Sequence, residues 1–146
     1  MPQAWLSLGA NLGHPANQLK DAVRRLKARR DVRVTAASTI IISPPWGKTD
    51  QDEFHNMAVA VETDLSPQAL LATCLSVEKT MGRKRDEKWG PRLIDIDIIA
   101  YERLVIDTPG LTLPHPYAHE RDFVLGPLRE IAPRMADWIE GRHRAH

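Results

Sequence analysis

Between Ile94 and Ile98 the chain alternates apolar and acidic side chains without a break: Ile94, Asp95, Ile96, Asp97, Ile98. Successive side chains of a strand point to opposite faces, so this segment suits a sheet with one buried face and one open face. The isoleucines go inward. Asp95 and Asp97 then project together, with Cα atoms roughly 7 Å apart. Two adjacent carboxylates repel each other, and packing gives no reason to pair them. Hard cations do, since two Mg²⁺ ions in a shared site lie about 3.5–4 Å apart. Just upstream, Gly82 to Arg92 is a glycine-bounded loop carrying Arg83, Lys84, Arg85, Lys88 and Arg92. Such cations supply the counter-charge of a polyphosphate. Each half alone has an ordinary reading, as a solvated strand edge or a solvent-facing basic loop. Their adjacency, across a stiff Trp89-Gly90-Pro91 joint, points to phosphate and magnesium chemistry.

The rest of the chain narrows the choices. Its 146 residues suffice for one domain with a substantial core, expected over residues 1–146. Lys and Arg number 20 against 19 Asp and Glu, a net charge of +1, so anion binding must come from local arrangement. A nucleic-acid-binding domain is normally more basic. Cys74, the one cysteine, excludes an internal disulfide and fits a reducing compartment. The N-terminus lacks the basic and apolar runs of a signal peptide, and no apolar stretch reaches membrane-spanning length. A cytoplasmic monomer is expected.

Patterning gives the element order. Ala4 to Leu8 reads as a strand with Leu6 and Leu8 on one side and Trp5 and Ser7 on the other, broken at Gly9–Gly13. Leu19, Ala22, Val23 and Leu26 follow helical spacing. Val32 to Ile42 is β-branched and predicts one long strand ending at Pro44-Pro45. A polar loop from Trp46 to Glu53 leads to a strand with Met57, Val59 and Val61 on one face and Ala58 and Ala60 on the other. Ser66-Pro67 starts a second helix, with Leu70, Leu71, Cys74, Leu75 and Val77 as its apolar stripe, ending near Gly82. Leu93 to Tyr101 is the fourth strand. The order β-α-β-β-α-β is the α+β, ferredoxin-like pattern: an antiparallel sheet with both helices on one face. The opposite face is expected to be free for ligands and to carry Asp95, Asp97 and Asn56. Beyond Val105 the pattern predicts a short strand, the Leu113–Pro116 segment and a helix from Phe123 to Ile131.

The remaining candidates are individually ambiguous. His115 and His119 lack a third ligand at zinc spacing. Phe54 and Phe123, the two phenylalanines, fit a core as readily as a stacking clamp. Asn56 fits a turn or a ligand-reading amide. Cys74 packs. On these residues alone, a ferredoxin-like RNA-binding module and another Asp-x-Asp nucleotidyl or glycosyl transferase stay open, although acids on the ligand face and scarce aromatics weigh against RNA.

Taken together, the motifs resemble the 6-hydroxymethyl-7,8-dihydropterin pyrophosphokinase family. The resemblance runs through Leu6–Gly13, Ser43–Gly47, Phe54–Asn56, Gly82–Arg85, Trp89–Arg92, Asp95–Asp97, Leu113–Pro116, His119–Leu128 and Ile131–Pro133. It implies transfer of a diphosphate from ATP to a pterin alcohol in folate synthesis, with AMP released. By resemblance, Asp95 and Asp97 hold two Mg²⁺, and Arg83 and Arg92 act with them in catalysis. Arg83, Arg92 and His115 meet the phosphates. Arg85, Trp89, Thr112 and Arg121 line the nucleotide side, and Glu78 and Ile98 stand close to it. Phe54 and Phe123 sandwich the pterin and Asn56 reads its edge, with Ser43, Pro44, Trp46, Trp89 and Asp95 around it. The loop Gly82–Arg92 is expected to close over ATP. Three residues depart from the family pattern: Phe54 replaces a common tyrosine, Lys88 an arginine and Tyr117 a frequent basic residue.

Overall fold

The computed structural model describes residues 1–44, 53–82 and 93–144. In chain order the elements are β1 (Gln3–Ala10), α1 (Pro15–Lys27), β2 (Arg33–Ala37), β3 (Ile41–Ser43), β4 (Phe54–Glu62), α2 (Pro67–Thr80) and β5 (Asp95–Tyr101). A hairpin of β6 (Ile106–Thr108) and β7 (Leu111–Leu113) follows, then α3 (Asp122–Ile131) and α4 (Pro133–Arg144). The main sheet is antiparallel and ordered β2-β4-β1-β5, with β3 also on β4. This is the ferredoxin-like arrangement.

The strand alternation divides the interior in two. Leu6, Leu8, Met57, Val59, Val61, Ile96 and Ile98 face α1 and α2, where they pack with Leu19, Leu26, Leu70, Cys74 and Val77. Trp5, Ala58, Ala60, Ile99 and Ala100 face the other way. Local chemistry starts and stops the helices. The Ser66 Oγ accepts from Ala69 N–H at 3.1 Å and Pro67 takes the first turn of α2. Gly82, at φ 89°, turns the chain away after α2 in a conformation that only glycine adopts freely. Arg24, Arg25 and Lys27 in the last turn of α1 suit its negative end.

Several expectations need correction, among them the single short strand beyond Val105, which is the β6–β7 hairpin. The long strand from Val32 to Ile42 is two strands. Ser38 interrupts it: its N–H donates to Ala58 O at 2.9 Å, and its Oγ accepts from Ala58 N–H at 2.8 Å. Ala37 lies opposite Val59 but Ile41 lies opposite Asn56, so four steps on one strand match three on the other. That bulge reverses the alternation and brings Ile41 and Ser43 onto the face of Asn56. The face opposite α1 and α2 is also only half open, because α3 and α4 cover it with Val124, Leu125, Leu128, Met135, Ala136 and Ile139. The helix α4 was not expected. Leu75, placed on the apolar stripe of α2, is exposed.

Candidate active site

The uncovered end of that second face is built from neighbouring strands. Gly9 on β1 pairs with Asn56 on one side and Asp95 on the other, and Ser7 pairs with Asp97. Asn56, Gly9 and the acidic pair therefore form one continuous patch across three strands. A Cβ added at Gly9 would come 3.2 Å from Asn56 Oδ1 and 3.9 Å from Phe54 Cδ1. The bare backbone here keeps the floor flat between amide and carboxylates. Sequence reading treated Gly9 as a strand breaker and missed this role; its signal is a glycine inside a strand.

Asn56 is buried, and its Nδ2 donates to the buried Ser43 Oγ at 2.7 Å. That bond fixes the amide plane and leaves Oδ1 toward the open patch. Phe54 is half-buried two residues before Asn56 on the same face, and Pro44 is exposed beside Ser43.

The segment after β7 forms the opposite wall. His115 N–H donates to Ile99 O at 2.8 Å, which docks this segment on β5. The His115 Nδ1 accepts from Tyr117 N–H at 3.2 Å, so its neutral ring carries the proton on Nε2, 4.0 Å from Asp97 Oδ2. Burial pushes the His115 pKa down to about 4; the Arg121 charge adds to this and Asp95 opposes it. At neutral pH this is an uncharged hydrogen-bond donor aimed beside the acid pair. Arg121 is buried, and that burial lowers its pKa while Asp97 and Asp95 favour the cation. Its guanidinium lies 5.2 Å from the Tyr117 ring centre and 5.6 Å from that of Phe123. Phe123 sits half-buried in the first turn of α3, on the same side of the sheet as Phe54.

Other expected residues fall elsewhere. Thr112 is half-buried on β7, opposite Asp107. The Ile98 side chain is in the core facing α1 and α2, so only its main chain can meet a nucleotide. Glu78 is 2% exposed, with a carboxylate oxygen 2.6 Å from Ile96 N. Trp46, Arg83, Lys84, Arg85, Lys88, Trp89 and Arg92 lie outside the described residues, as does the expected closure of Gly82–Arg92.

The acid pair suits hard cations. Both carboxylates share a sheet face, Asp97 keeps 39% of its side-chain surface, and neighbouring groups supply donors for a polyanion. Mg²⁺ is characteristically held by one or two carboxylates, with phosphate oxygens and water completing the shell.

Comparison with known proteins gives the family and the fold. Residues 5–133 match the family described as 7,8-dihydro-6-hydroxymethylpterin-pyrophosphokinase (HPPK). A 2-amino-4-hydroxy-6-hydroxymethyldihydropteridine pyrophosphokinase of Methylorubrum extorquens is 51% identical over 135 residues, 92% of this chain and 85% of that protein. The Bacillus subtilis protein of the same name is 42% identical over 132 residues, 90% of this chain and 79% of that one. Among solved structures, wild-type Plasmodium falciparum HPPK-DHPS with pteroate superposes with a TM-score of 0.70 at 16% identity. The match covers 88% of this chain and 38% of that longer one, and at such identity it speaks for the fold alone. With nearly the whole chain matched and close relatives of one name, the chain belongs to the 7,8-dihydro-6-hydroxymethylpterin-pyrophosphokinase family.

Proposed function

We propose that this chain transfers the β,γ-diphosphate of ATP to the hydroxymethyl group of 6-hydroxymethyl-7,8-dihydropterin, releasing AMP, with Asp95 and Asp97 holding two Mg²⁺ ions. The family supplies the reaction and the two substrates. The observation that carries the residue-level reading is the shared patch: the acid pair lies one strand away from the Asn56–Ser43 amide, across a bare Gly9. A pterin edge read by Asn56 would bring its hydroxymethyl arm toward the carboxylates.

When bound, the metal ions supply charge neutralisation for the triphosphate and lower the pKa of the attacking alcohol. The protein's own groups do the positioning. Asn56 Oδ1 accepts from a pterin N–H, since Nδ2 is held by Ser43. Phe54 and Phe123 offer ring faces, with stacking contributing roughly 1–3 kcal/mol per base-like ring. His115 donates from Nε2 to a phosphate oxygen without changing charge, and Arg121 adds a fixed positive charge. Nothing in this set acts as a general base, so catalysis is by positioning and electrostatics.

The Ile98 main chain and Thr112 on the nucleotide side, and Ser43, Pro44 and Trp46 around the pterin, complete the reading; Glu78, expected beside the nucleotide, is 2% exposed and is left out of that set. The basic loop supplies Arg83 and Arg92 for the transferring phosphates and Arg85 and Trp89 for the nucleotide. We further propose that residues 1–146 work as one unit, as a cytoplasmic monomer. No helix of the described residues is long and apolar enough to cross a membrane. Equilibrium sedimentation tests the monomer.

The function is tested by incubating the protein with ATP, Mg²⁺ and the pterin alcohol and separating the nucleotides. Stoichiometric AMP supports diphosphate transfer. ADP would mean transfer of a single phosphoryl group, and no pterin-dependent turnover would remove the assignment.

A further inference from the structure

Glu78 presents a physical puzzle. It stands on the last full turn of α2, 2% exposed, beneath the sheet face that the isoleucines occupy. Burying a carboxylate is costly, and an apolar residue would fill the same place among Thr73, Cys74 and Val77 more cheaply. Its low exposure also leaves almost no surface for a nucleotide to touch. What it does reach is specific. One carboxylate oxygen accepts from Ile96 N–H at 2.6 Å, across 18 residues of sequence.

The location of that amide matters. Among the described residues, β5 pairs in the main sheet with β1, and its other edge is met by His115 N–H at Ile99 O and by Glu78 at Ile96 N–H. Ile96 lies between Asp95 and Asp97 in the chain, and its N–H points from β5 toward α2. Without a bond on that edge the stretch around Ile96 would fray more readily, and the carboxylates on either side would lose their fixed separation. A charge-assisted bond to the central amide holds that stretch flat.

We infer that Glu78 is a positioning residue for the metal pair, acting through the Ile96 amide and not by touching ATP. The inference rests on the reading of Asp95 and Asp97 as magnesium ligands. Groups that orient metal ligands typically change metal affinity or activity by about 10–100-fold when lost.

Two substitutions separate geometry from charge. Glu78→Gln keeps an acceptor at the same reach and loses the charge, whereas Glu78→Asp keeps the charge and draws the acceptor back by one methylene. With ATP and pterin saturating, Glu78→Asp should raise the half-saturating Mg²⁺ concentration roughly 10–100-fold. Glu78→Gln should stay within about threefold of wild type, and both variants should keep the wild-type KM for ATP at saturating Mg²⁺. Hydrogen exchange gives an independent readout without metal or substrate: the Ile96 amide should be protected in wild type and Glu78→Gln and should exchange faster in Glu78→Asp. The reverse order of the two variants, equal impairment of both, or wild-type magnesium dependence in both would overturn the inference. So would an Ile96 amide equally protected in all three proteins. If Asp97→Ala keeps full turnover, the parent reading fails instead, and the exchange result still reports whether Glu78 holds the strand.

Discussion

The two faces of one sheet make different demands on the same strands. Toward α1 and α2, Leu6, Leu8, Val59, Val61 and Ile96 are sealed into an apolar layer with no more than 2% exposure. On the other face, the neighbours of those residues are Ser7, Gly9, Asn56, Asp95 and Asp97, and the helices that could cover them stop short. The contrast lies in one-residue steps along β1, β4 and β5. On the proposed reading, it teaches that along β1, β4 and β5 the core and the metal-binding groups are separated by strand parity. Substitutions on one face should therefore change folding, and those one residue away should change turnover.

The largest expected effect lies on the open face. Asp95→Ala or Asp97→Ala should lower kcat at least about 1,000-fold, each removing a ligand worth several kcal/mol to the reacting phosphate. The thermal midpoint should scarcely move, because neither side chain is in the core. Steady-state rates and a melting curve on the same sample check both halves. The mirror case is Leu6→Ala, which should cost about 2–5 kcal/mol of stability in denaturant titration. The fraction that remains folded should bind both substrates with near wild-type affinity. A Leu6→Ala protein of normal stability would break the comparison from the core side.

Phe123 probes where the boundary between the faces runs. It touches the α3–α4 layer and also stands under the Arg121 guanidinium. Phe123→Ala should weaken pterin binding by roughly 1–3 kcal/mol while changing ATP affinity much less. Separate titrations of the two ligands decide it; equal losses would make Phe123 a packing residue. The smallest effect concerns Gly9. Gly9→Ala places a methyl 3.2 Å from Asn56 Oδ1, so the amide must yield by a few tenths of an ångström. The expected result is about a fivefold rise in pterin KM, near 1 kcal/mol, with the ATP KM unchanged.

Much of this was legible in the sequence because it depends on local periodicity. The Ile94–Ile98 alternation assigns the acids and isoleucines to opposite faces, and Ser66-Pro67 and Gly82 bracket α2 as their backbone chemistry requires. The features that escaped are those set by partners far away in sequence. The Ser38 bulge depends on its double bond to Ala58, which only pairing with β4 reveals. Gly9 gains its importance from Asn56 and Asp95 on the flanking strands. The helix α4 follows so closely on α3, with Pro133 as its first residue, that the two blur into one tail until packing separates them. Glu78 is expected near the nucleotide by resemblance, and its burial against the Ile96 amide shows only in the fold.

The account turns on Asp95 and Asp97 sharing one pair of ions on the open face, and counting bound metal tests that without any turnover. Mn²⁺ can stand in for Mg²⁺ in an electron paramagnetic resonance titration of the protein with a non-hydrolysable ATP analogue. Wild-type protein should bind two ions per chain beyond those held by free nucleotide. Asp95→Asn and Asp97→Asn, which keep the side-chain shape and lose the charge, should each bind fewer. Two ions retained at unchanged affinity in both variants would contradict the account and place the metal site elsewhere.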